Sequence, residues 1–280
     1  MKSQILWFLF VSLVVGVKGQ LLYTIQPSNG GNVSYLYGTI HLMPEEQFKL
    51  SPALISAFDA CGTLAMEVDL NMDLSTKIAI AQQTILPDGK TLKDITTPEE
   101  YAQIVRYCLD SCGMTKKKIK RYSRLKPFFF SSAMLQDQLK NTKSYELEFQ
   151  KLAEKAKKTM MGLESIQVQM ETINTVPLND QVSMLMDGIQ NPQQYDGMLD
   201  AYLAEDLDAL YKSVIAESQN FPNFIENFLN RRNRNWIPII RSQIERGATF
   251  IAVGAGHLPG EEGVISLLRK AGYTVSPVVQ

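Results

Sequence analysis

Apolar residues follow two patterns along this 280-residue chain, one typical of short strands and one typical of helices. Runs rich in Val, Ile, Leu and Tyr lie towards both ends, and such runs predict strands. The predicted strands are 21–25, 33–38, Thr63–Val68, 159–163, 249–253 and 273–279. The first two flank Asn29-Gly30-Gly31-Asn32 and are predicted to form a hairpin, because these residues favour tight turns.

Helical periodicity fills most of the chain between these strands. Ser51 and Pro52 predict the start of a helix at 51–60, because serine caps helices and proline suits the first helical position. The remaining helical tracts are 73–158, broken at 87–89 and 126–127, then 165–246, punctuated by Pro177, Pro192 and Pro222, and finally 260–270, closed by Gly272. Within the first tract, Phe128-Phe129-Phe130 are predicted to lie in the core.

Strands at both ends and helices in the middle predict an α/β fold. A central mixed sheet would be built from both chain ends, and the helical middle would form a large insertion or cap over it. The chain shows no internal repeat with a period of about 20–50 residues, which excludes a solenoid. Residues 20–280 are therefore predicted to form a single domain.

Residues 1–19 have the pattern of an export signal. Lys2 precedes an uncharged stretch from residue 5 to residue 17, and cleavage is expected before Gln20. A membrane anchor is the alternative, but thirteen uncharged residues span only about 20 Å as a helix, against a bilayer core of roughly 30 Å. We therefore expect a signal peptide at 1–19, no stable membrane span after its cleavage, and a periplasmic or secreted mature chain.

The charge balance limits the partners of the protein. The 28 Lys and Arg residues nearly cancel the 29 Asp and Glu residues, giving a formal charge of −1. Nucleic acid is not an expected partner, because nucleic-acid-binding proteins carry a strong positive surface. We expect a peptide or a small molecule as the substrate, and nothing in the sequence indicates the oligomeric state.

Three cysteines are too few to build a disulfide scaffold. Cys108 and Cys112 lie in a segment that reads as helix up to Gly113. In a regular helix their Cβ atoms would be about 5–6 Å apart, more than the roughly 3.8 Å of a disulfide, so a bond would need the helix to unravel. Cys61 is predicted to be a small buried hydrophobic residue.

The only two histidines occur in the same sequence context. His41 ends Gly38-Thr39-Ile40-His41 and His257 ends Gly254-Ala255-Gly256-His257, and each motif follows a predicted strand. Ligands of open α/β sheets bind outside the carboxyl ends of the strands, and glycine there allows a close approach of the backbone. A structural role for either histidine alone is the alternative, but the matched contexts favour a shared site.

Two glutamates share this placement. Glu67 ends an apolar run and Glu164 follows Met160-Met161-Gly162-Leu163. A buried carboxylate needs a cation, a metal ion or hydrogen-bond donors as a partner. Two histidines and two glutamates at strand ends are ligands typical of a Zn, Mn, Co or Fe site.

Structural roles are the alternatives for both glutamates. Glu67 could instead pair with a buried Lys or Arg, and Asp69 competes for its role. Glu164 could be the N-cap or first-turn acid of the helix that follows, where a negative charge is favoured.

The segment Arg231-Arg232-Asn233-Arg234-Asn235-Trp236 is densely basic. Phe224, Phe228, Trp236 and Ile240 lie at helical spacing and would bury one face of its helix. One arginine could then point inwards at a carboxylate or a substrate oxyanion. An exposed face of salt bridges is the alternative.

Several motifs together resemble the TraB/GumN family, which includes pheromone-shutdown proteins and the TIKI proteases. The resemblance covers about residues 35–278 and rests on the paired Gly-x-x-His motifs above all. The other matching segments are Met66-Glu67-Val68-Asp69, Gly162-Leu163-Glu164-Ser165, Arg232-Asn233 with Trp236, and Gly272-Tyr273-Thr274-Val275-Ser276-Pro277. Arg231 stands where the family usually has an acidic residue.

The resemblance implies a fold similar to erythromycin-esterase-like and ChaN-like proteins and a divalent-metal-dependent hydrolase. It implies that His41, Glu67 and His257 bind Mn, Co or Zn, or that a histidine acts as the general base. Glu164 would assist them, and Arg232 would bind the oxyanion or a substrate carboxylate.

The sequence leaves three functions open. The first is a metal-dependent hydrolase, such as a peptidase, with His41, Glu67, Glu164, Arg232 and His257 as catalytic residues. The second is a metal-free esterase-like hydrolase with His41 as general base. The third is a protein that binds or sequesters a peptide or small ligand without turnover. Neither Gly-x-Ser-x-Gly nor His-Glu-x-x-His occurs in the chain.

Overall fold

A six-stranded mixed sheet is the centre of the structure, a computed structural model that describes residues 20–28, 30–221 and 223–278. The expected export signal at 1–19 lies outside the described residues. The strands are β1 (Leu22–Pro27), β2 (Ser34–Thr39), β3 (Met43–Pro44), β4 (Thr63–Val68), β5 (Thr142–Lys143), β6 (Thr159–Glu164), β7 (Thr249–Gly254) and β8 (Tyr273–Pro277). Their order in the main sheet is β6-β4-β7-β2-β1-β8.

Four neighbouring strands of this sheet run in parallel. β4 pairs in parallel with β6 and β7, and β7 pairs in parallel with β2. β1 is antiparallel to β2, as the predicted hairpin requires, and it is also antiparallel to β8. The predicted α/β class, with a mixed sheet built from both chain ends, is therefore confirmed. The likeness to erythromycin-esterase-like and ChaN-like folds stays a prediction.

Helices make up most of the chain between β4 and β7. The helices are α1 (Pro52–Asp59), α2 (Leu74–Gln83), α3 (Leu92–Ile95), α4 (Pro98–Asp110), α5 (Lys116–Tyr122), α6 (Pro127–Leu139), α7 (Tyr145–Ala156), α8 (Ile166–Asn174), α9 (Leu178–Gln190), α10 (Gln194–Leu203), α11 (Leu207–Ser218), α12 (Arg231–Arg246) and α13 (Val264–Lys270). Ser51 caps α1 as predicted, because its side chain accepts a hydrogen bond from the Leu54 amide at 3.2 Å. A π-helical turn at Glu226–Asn230 leads directly into α12.

Two apolar clusters hold these layers together. The larger lies between the sheet and the helices next to it, and includes Phe58, Phe149 and Phe250. A second cluster lies within the helical middle and includes Ile104 and Phe130. The helical middle thus has packing of its own, which fits the predicted insertion over the sheet.

The structure differs from the predictions at the pair β3–β5 and at the end of α4. The short pair β3–β5 was not predicted, because two-residue strands leave no alternating pattern. α4 ends at Asp110 rather than continuing to Gly113, whose φ of 65° suits a helix terminus. Cys112 therefore lies outside the helix, and it is a free, buried cysteine like Cys61 and Cys108.

Candidate active site

The carboxyl ends of the parallel strands bring the predicted polar residues to one edge of the sheet. Thr39 is paired with Gly254, and Val68 is paired with Glu164, so the ends of four strands lie side by side. Parallel strands place their carboxyl ends on the same edge of a sheet. This edge therefore carries the predicted site residues His41, Glu67, Glu164 and His257.

The glycines of the two Gly-x-x-His motifs allow the motifs to pack closely. A Cβ atom on Gly38 would lie 3.1 Å from Ala255 in the other motif. A Cβ atom on Gly254 would lie 3.2 Å from Oε1 of Glu67. The same oxygen accepts a hydrogen bond from the Gly254 amide at 2.9 Å. The glycines thus serve close approach between protein segments.

Glu67 is buried and surrounded by donors. Its Oε2 accepts hydrogen bonds from Nη2 of Arg232 and, at 3.2 Å, from Nε2 of Gln169. Burial alone would raise the pKa of Glu67, but His257, Arg232, His41 and the Gly254 amide outweigh burial and lower it to about 2. Glu67 is therefore a carboxylate at neutral pH.

His257 is held in one neutral tautomer by Asn233. The Asn233 amide donates to the carbonyl oxygens of His257 at 3.3 Å and of Glu262 at 2.9 Å, so its Oδ1 faces the ring. Nδ1 of His257 therefore donates to Oδ1 of Asn233 at 2.6 Å, which leaves a lone pair on Nε2. Burial, together with the positive charges of Arg232 and His41, lowers the pKa of His257 to about 3 although Glu67 opposes the shift.

Arg232 is the inward-pointing arginine of the basic segment. Its Nε donates to both oxygens of Glu164, at 3.0 and 3.2 Å, and its Nη2 donates to Glu164 at 2.7 Å as well as to Glu67. Its Nη1 donates to the Phe228 carbonyl at 2.9 Å and to Nε2 of His257 at 3.1 Å. One guanidinium thus links both carboxylates and one imidazole.

Arg234, two positions further along α12, takes the alternative role. Its side chain is 44% exposed and pairs with Glu226 and with Glu262. The arginine segment therefore combines the two predicted possibilities, an inward guanidinium and an exposed face of salt bridges.

Glu164 lies behind Arg232 and does not line the cavity described below. It also accepts a hydrogen bond from Nε1 of the fully buried Trp236 at 3.2 Å. Ser165, not Glu164, is the N-cap of α8. Asp69 accepts from the Asn71 amide at 2.9 Å and does not line the cavity either.

His41 is held by a residue that the sequence did not single out. Nδ1 of His41 lies 3.0 Å from Oε1 of Glu146, at the start of α7, and Thr39 and Ser144 each donate to Glu146 at 2.6 Å. Desolvation lowers the pKa of His41, but the hydrogen bond and charge of Glu146 outweigh it and raise this pKa to about 9. His41 is therefore an imidazolium at neutral pH, whereas His257 is neutral.

Both histidines line one cavity between the sheet edge and the helical middle. Its volume is about 640 Å³, and its floor includes His41, Glu67, Arg232 and His257. The His41 side chain is 68% exposed, whereas that of His257 is 6% exposed. Phe128 lines the same cavity, and Phe128 and Phe129 are both only partly buried. The prediction of a core position therefore holds for Phe130 but is wrong for Phe128 and Phe129.

The donors on the floor fit a divalent cation by their chemistry. Nδ1 of each histidine is bound to a neighbouring acceptor, Glu146 or Asn233, which is how metal-binding histidines are oriented in proteins. Their present spacing does not form a metal centre: in the described part of the chain, no three His, Cys, Asp or Glu side chains are placed to hold one ion. The guanidinium of Arg232 lies among these donors instead, 3.1 Å from Nε2 of His257.

Known proteins similar to this chain include two proteases. The chain is 24% identical to the metalloprotease TIKI1 of Danio rerio, over 86% of this chain and 60% of that protein. It is 22% identical to the metalloprotease TIKI2 of Xenopus tropicalis, over 86% of this chain and 57% of that protein. An uncharacterized protein of Treponema pallidum is 23% identical over 92% of this chain and 82% of its own length.

The chain spans about three fifths of the length of the two TIKI proteins. No solved structure matches it. Across the described ranges, no helix combines the length and the apolar composition needed to cross a bilayer.

The model of the TraB/PrgY/gumN family matches residues 22–277, which is nearly the whole of the chain. The match includes both Gly-x-x-His motifs, both strand-end glutamates and the Arg232-Asn233 pair. The chain therefore belongs to the TraB/PrgY/gumN family.

Proposed function

We propose that the protein is a hydrolase that cleaves peptide bonds, with its active site on the floor of the 640 Å³ cavity. One observation carries this proposal: two imidazoles, each fixed at Nδ1, face a common cavity beside an ionised carboxylate and a buried guanidinium. The two TIKI relatives are metalloproteases, which supports peptide as the substrate class and a divalent metal as the cofactor.

His41, Glu67 and His257 are the residues that would hold the ion, as the sequence predicts, and binding would release the proton on Nε2 of the His41 imidazolium. A divalent ion supplies activation of water and polarisation of the scissile carbonyl. His41 is a poor general base at neutral pH, because Glu146 keeps it protonated with a pKa of about 9. This favours the metal-dependent reaction over the metal-free one with His41 as base.

The residues of the chain have separate tasks in this proposal. Arg232 keeps a positive charge at the floor and stabilises the oxyanion that develops on the scissile carbonyl. Glu67 accepts a proton from water and passes it to the leaving amine. Glu146 and Asn233 orient the two imidazoles, and Glu164 orients Arg232 by a bidentate contact. Glu164 is therefore a positioning residue.

Two acidic residues that lie two positions apart give a matched test. Glu67→Gln removes a carboxylate of the floor, whereas Asp69→Asn changes a carboxylate that does not line the cavity. A peptide mixture is incubated with each purified protein and Mn²⁺, Co²⁺ or Zn²⁺, and products are identified by mass spectrometry. We expect cleavage by the wild type and by Asp69→Asn, and a loss of about 100-fold or more in Glu67→Gln.

The same assay distinguishes the other two functions. Cleavage that survives complete chelation would support the metal-free hydrolase. Peptides that bind in stoichiometric amounts and are recovered intact would support a binding protein. Equal cleavage by Glu67→Gln and the wild type would refute the proposed site.

A further inference from the structure

We propose that the substrate places a large apolar side chain, aromatic or branched aliphatic, next to the bond that is cleaved. This proposal rests on the proposed function and names the substrate class of the same cavity. The apolar side chains of the cavity wall support this proposal, whereas the polar side chains of the floor support the proposed reaction.

The wall above the floor is apolar and belongs to the helical middle. Its main side chains are Phe128, Leu135, Met198, Val214, Phe224 and Phe228. Among the described residues that line the cavity, the ionisable acidic, basic and histidine side chains are confined to His41, Glu67, Arg232 and His257. Pockets of about 300–1,000 Å³ with apolar walls and few polar groups are typical of specific ligand sites.

Three phenylalanine rings form one continuous surface on this wall. Phe224 and Phe228 are stacked, with ring centroids 4.2 Å apart and planes 11° apart. The Phe128 ring lies 6.1 Å from that of Phe228. All three rings are only partly buried, so they keep apolar surface open to the cavity. An aromatic or branched side chain would remove this surface from water.

The aromatic surface is joined directly to the catalytic floor. Phe228 belongs to the π-helical turn at Glu226–Asn230, and its carbonyl accepts the hydrogen bond from Nη1 of Arg232 at 2.9 Å. The same residue thus presents its ring to the wall and holds the guanidinium with its backbone. A substrate side chain on this ring would therefore lie beside the bond that meets Arg232, and π-helical turns often occur at functional sites.

The wall also selects against charged substrate side chains. A carboxylate or ammonium group placed against the three rings would lose hydration and find no ionic partner there. The test therefore compares peptides that differ only at the residue before the scissile bond, with Phe, Leu, Gly, Asp or Lys at that position. We expect kcat/KM for Phe and Leu to exceed that for Gly, Asp and Lys by at least about tenfold.

Adjacent phenylalanines provide the matched control. Phe128→Ala removes a ring from the wall, whereas Phe129→Ala removes the neighbouring ring, which does not line the cavity. We expect the preference for Phe and Leu to fall about tenfold in Phe128→Ala and to stay unchanged in Phe129→Ala. Thermal melting checks the fold of each variant. If Phe128→Ala does not fold, Ser132→Phe is a second test, because it narrows the cavity and is expected to lower kcat/KM for the Phe and Leu peptides.

Binding of uncleavable ketomethylene analogues of these peptides, measured by calorimetry, separates the two proposals. Tighter binding of the Phe and Leu analogues, with no cleavage of the corresponding peptides, would support the apolar subsite and refute the proposed hydrolysis. Cleavage of all five peptides at similar rates, or a preference for Gly, Asp or Lys, would overturn the apolar subsite and leave the hydrolase standing. Equal binding of all analogues without cleavage would overturn both.

Discussion

Replacing Arg232 by alanine is expected to destabilise the fold far more than the same change at Arg234. Both residues lie on α12, and each forms ion pairs with two glutamates. The Arg232 side chain is 7% exposed and its partners Glu67 and Glu164 are 9% and 6% exposed. Arg234 is 44% exposed and its partners Glu226 and Glu262 are 45% and 36% exposed. A comparison of the two variants therefore isolates the effect of burial on the free energy of unfolding.

The expected magnitudes follow from this difference. Removing one partner of a buried ion pair leaves an uncompensated charge and costs about 3–5 kcal/mol, and Arg232→Ala leaves two carboxylates without their cation. An exposed ion pair contributes about 0–1 kcal/mol, so Arg234→Ala should lower the free energy of unfolding by no more than about 1 kcal/mol. The changes are measured by urea denaturation at pH 7.

Lower pH should reduce the difference in the free energy of unfolding between the wild type and Arg232→Ala. In the wild type the pKa of Glu67 is about 2, below its ordinary value of 4.5, so Glu67 contributes stability above pH 4.5 that is lost as pH falls towards 2. Without Arg232 this pKa is expected to rise. Protonation of Glu67 then removes an unpaired buried charge from the variant, whereas in the wild type it breaks the ion pair with Arg232 and lowers the free energy of unfolding. A loss below about 1 kcal/mol at pH 7, or the same loss as in Arg234→Ala, would refute the reasoning.

Three further predictions concern the histidines and cysteines. In NMR titrations, the His41 signal should titrate near pH 9 and the His257 signal should stay neutral down to about pH 3; two ordinary transitions near pH 6.5 would contradict the structure. Because the folded pKa of His41 is raised, its contribution to the free energy of unfolding should be complete below pH 6.5 and lost as pH rises to about 9, and His41→Gln should abolish this slope. Cys61, Cys108 and Cys112 are free and buried, so a thiol reagent should label none in the native protein and three after unfolding; rapid native labelling would contradict this.

Strand positions and the strand-end residues were predictable because their signals are local. β4 has the predicted bounds, and β7 differs by one residue, since apolar β-branched runs mark buried strands. The parallel order then places the strand-end residues on one edge without any further information.

The inward direction of Arg232 has a signal in the sequence. Phe224, Phe228, Arg232, Trp236 and Ile240 are spaced by four residues, so Arg232 lies on the same helical face as the apolar residues. Arg234, two positions away, lies on another face and is exposed. The spacing alone therefore separates the two roles that the sequence analysis left open.

The residues that orient the histidines could not be found from the sequence. Glu146 is 105 positions from His41 and is one of several acidic residues in α7. Asn233 is one of two asparagines in a polar segment, and its contact depends on how α12 packs beside the turn that carries His257. Both contacts arise from tertiary packing, which leaves no periodic or compositional pattern.

The most direct test of the shared active site is peptide cleavage by His41→Gln and by His257→Gln, each checked for its fold by thermal melting. Both histidines line one cavity, so the account predicts that each single variant loses cleavage while it stays folded, and that the double variant is no worse than either. Full turnover by either folded variant would contradict the account.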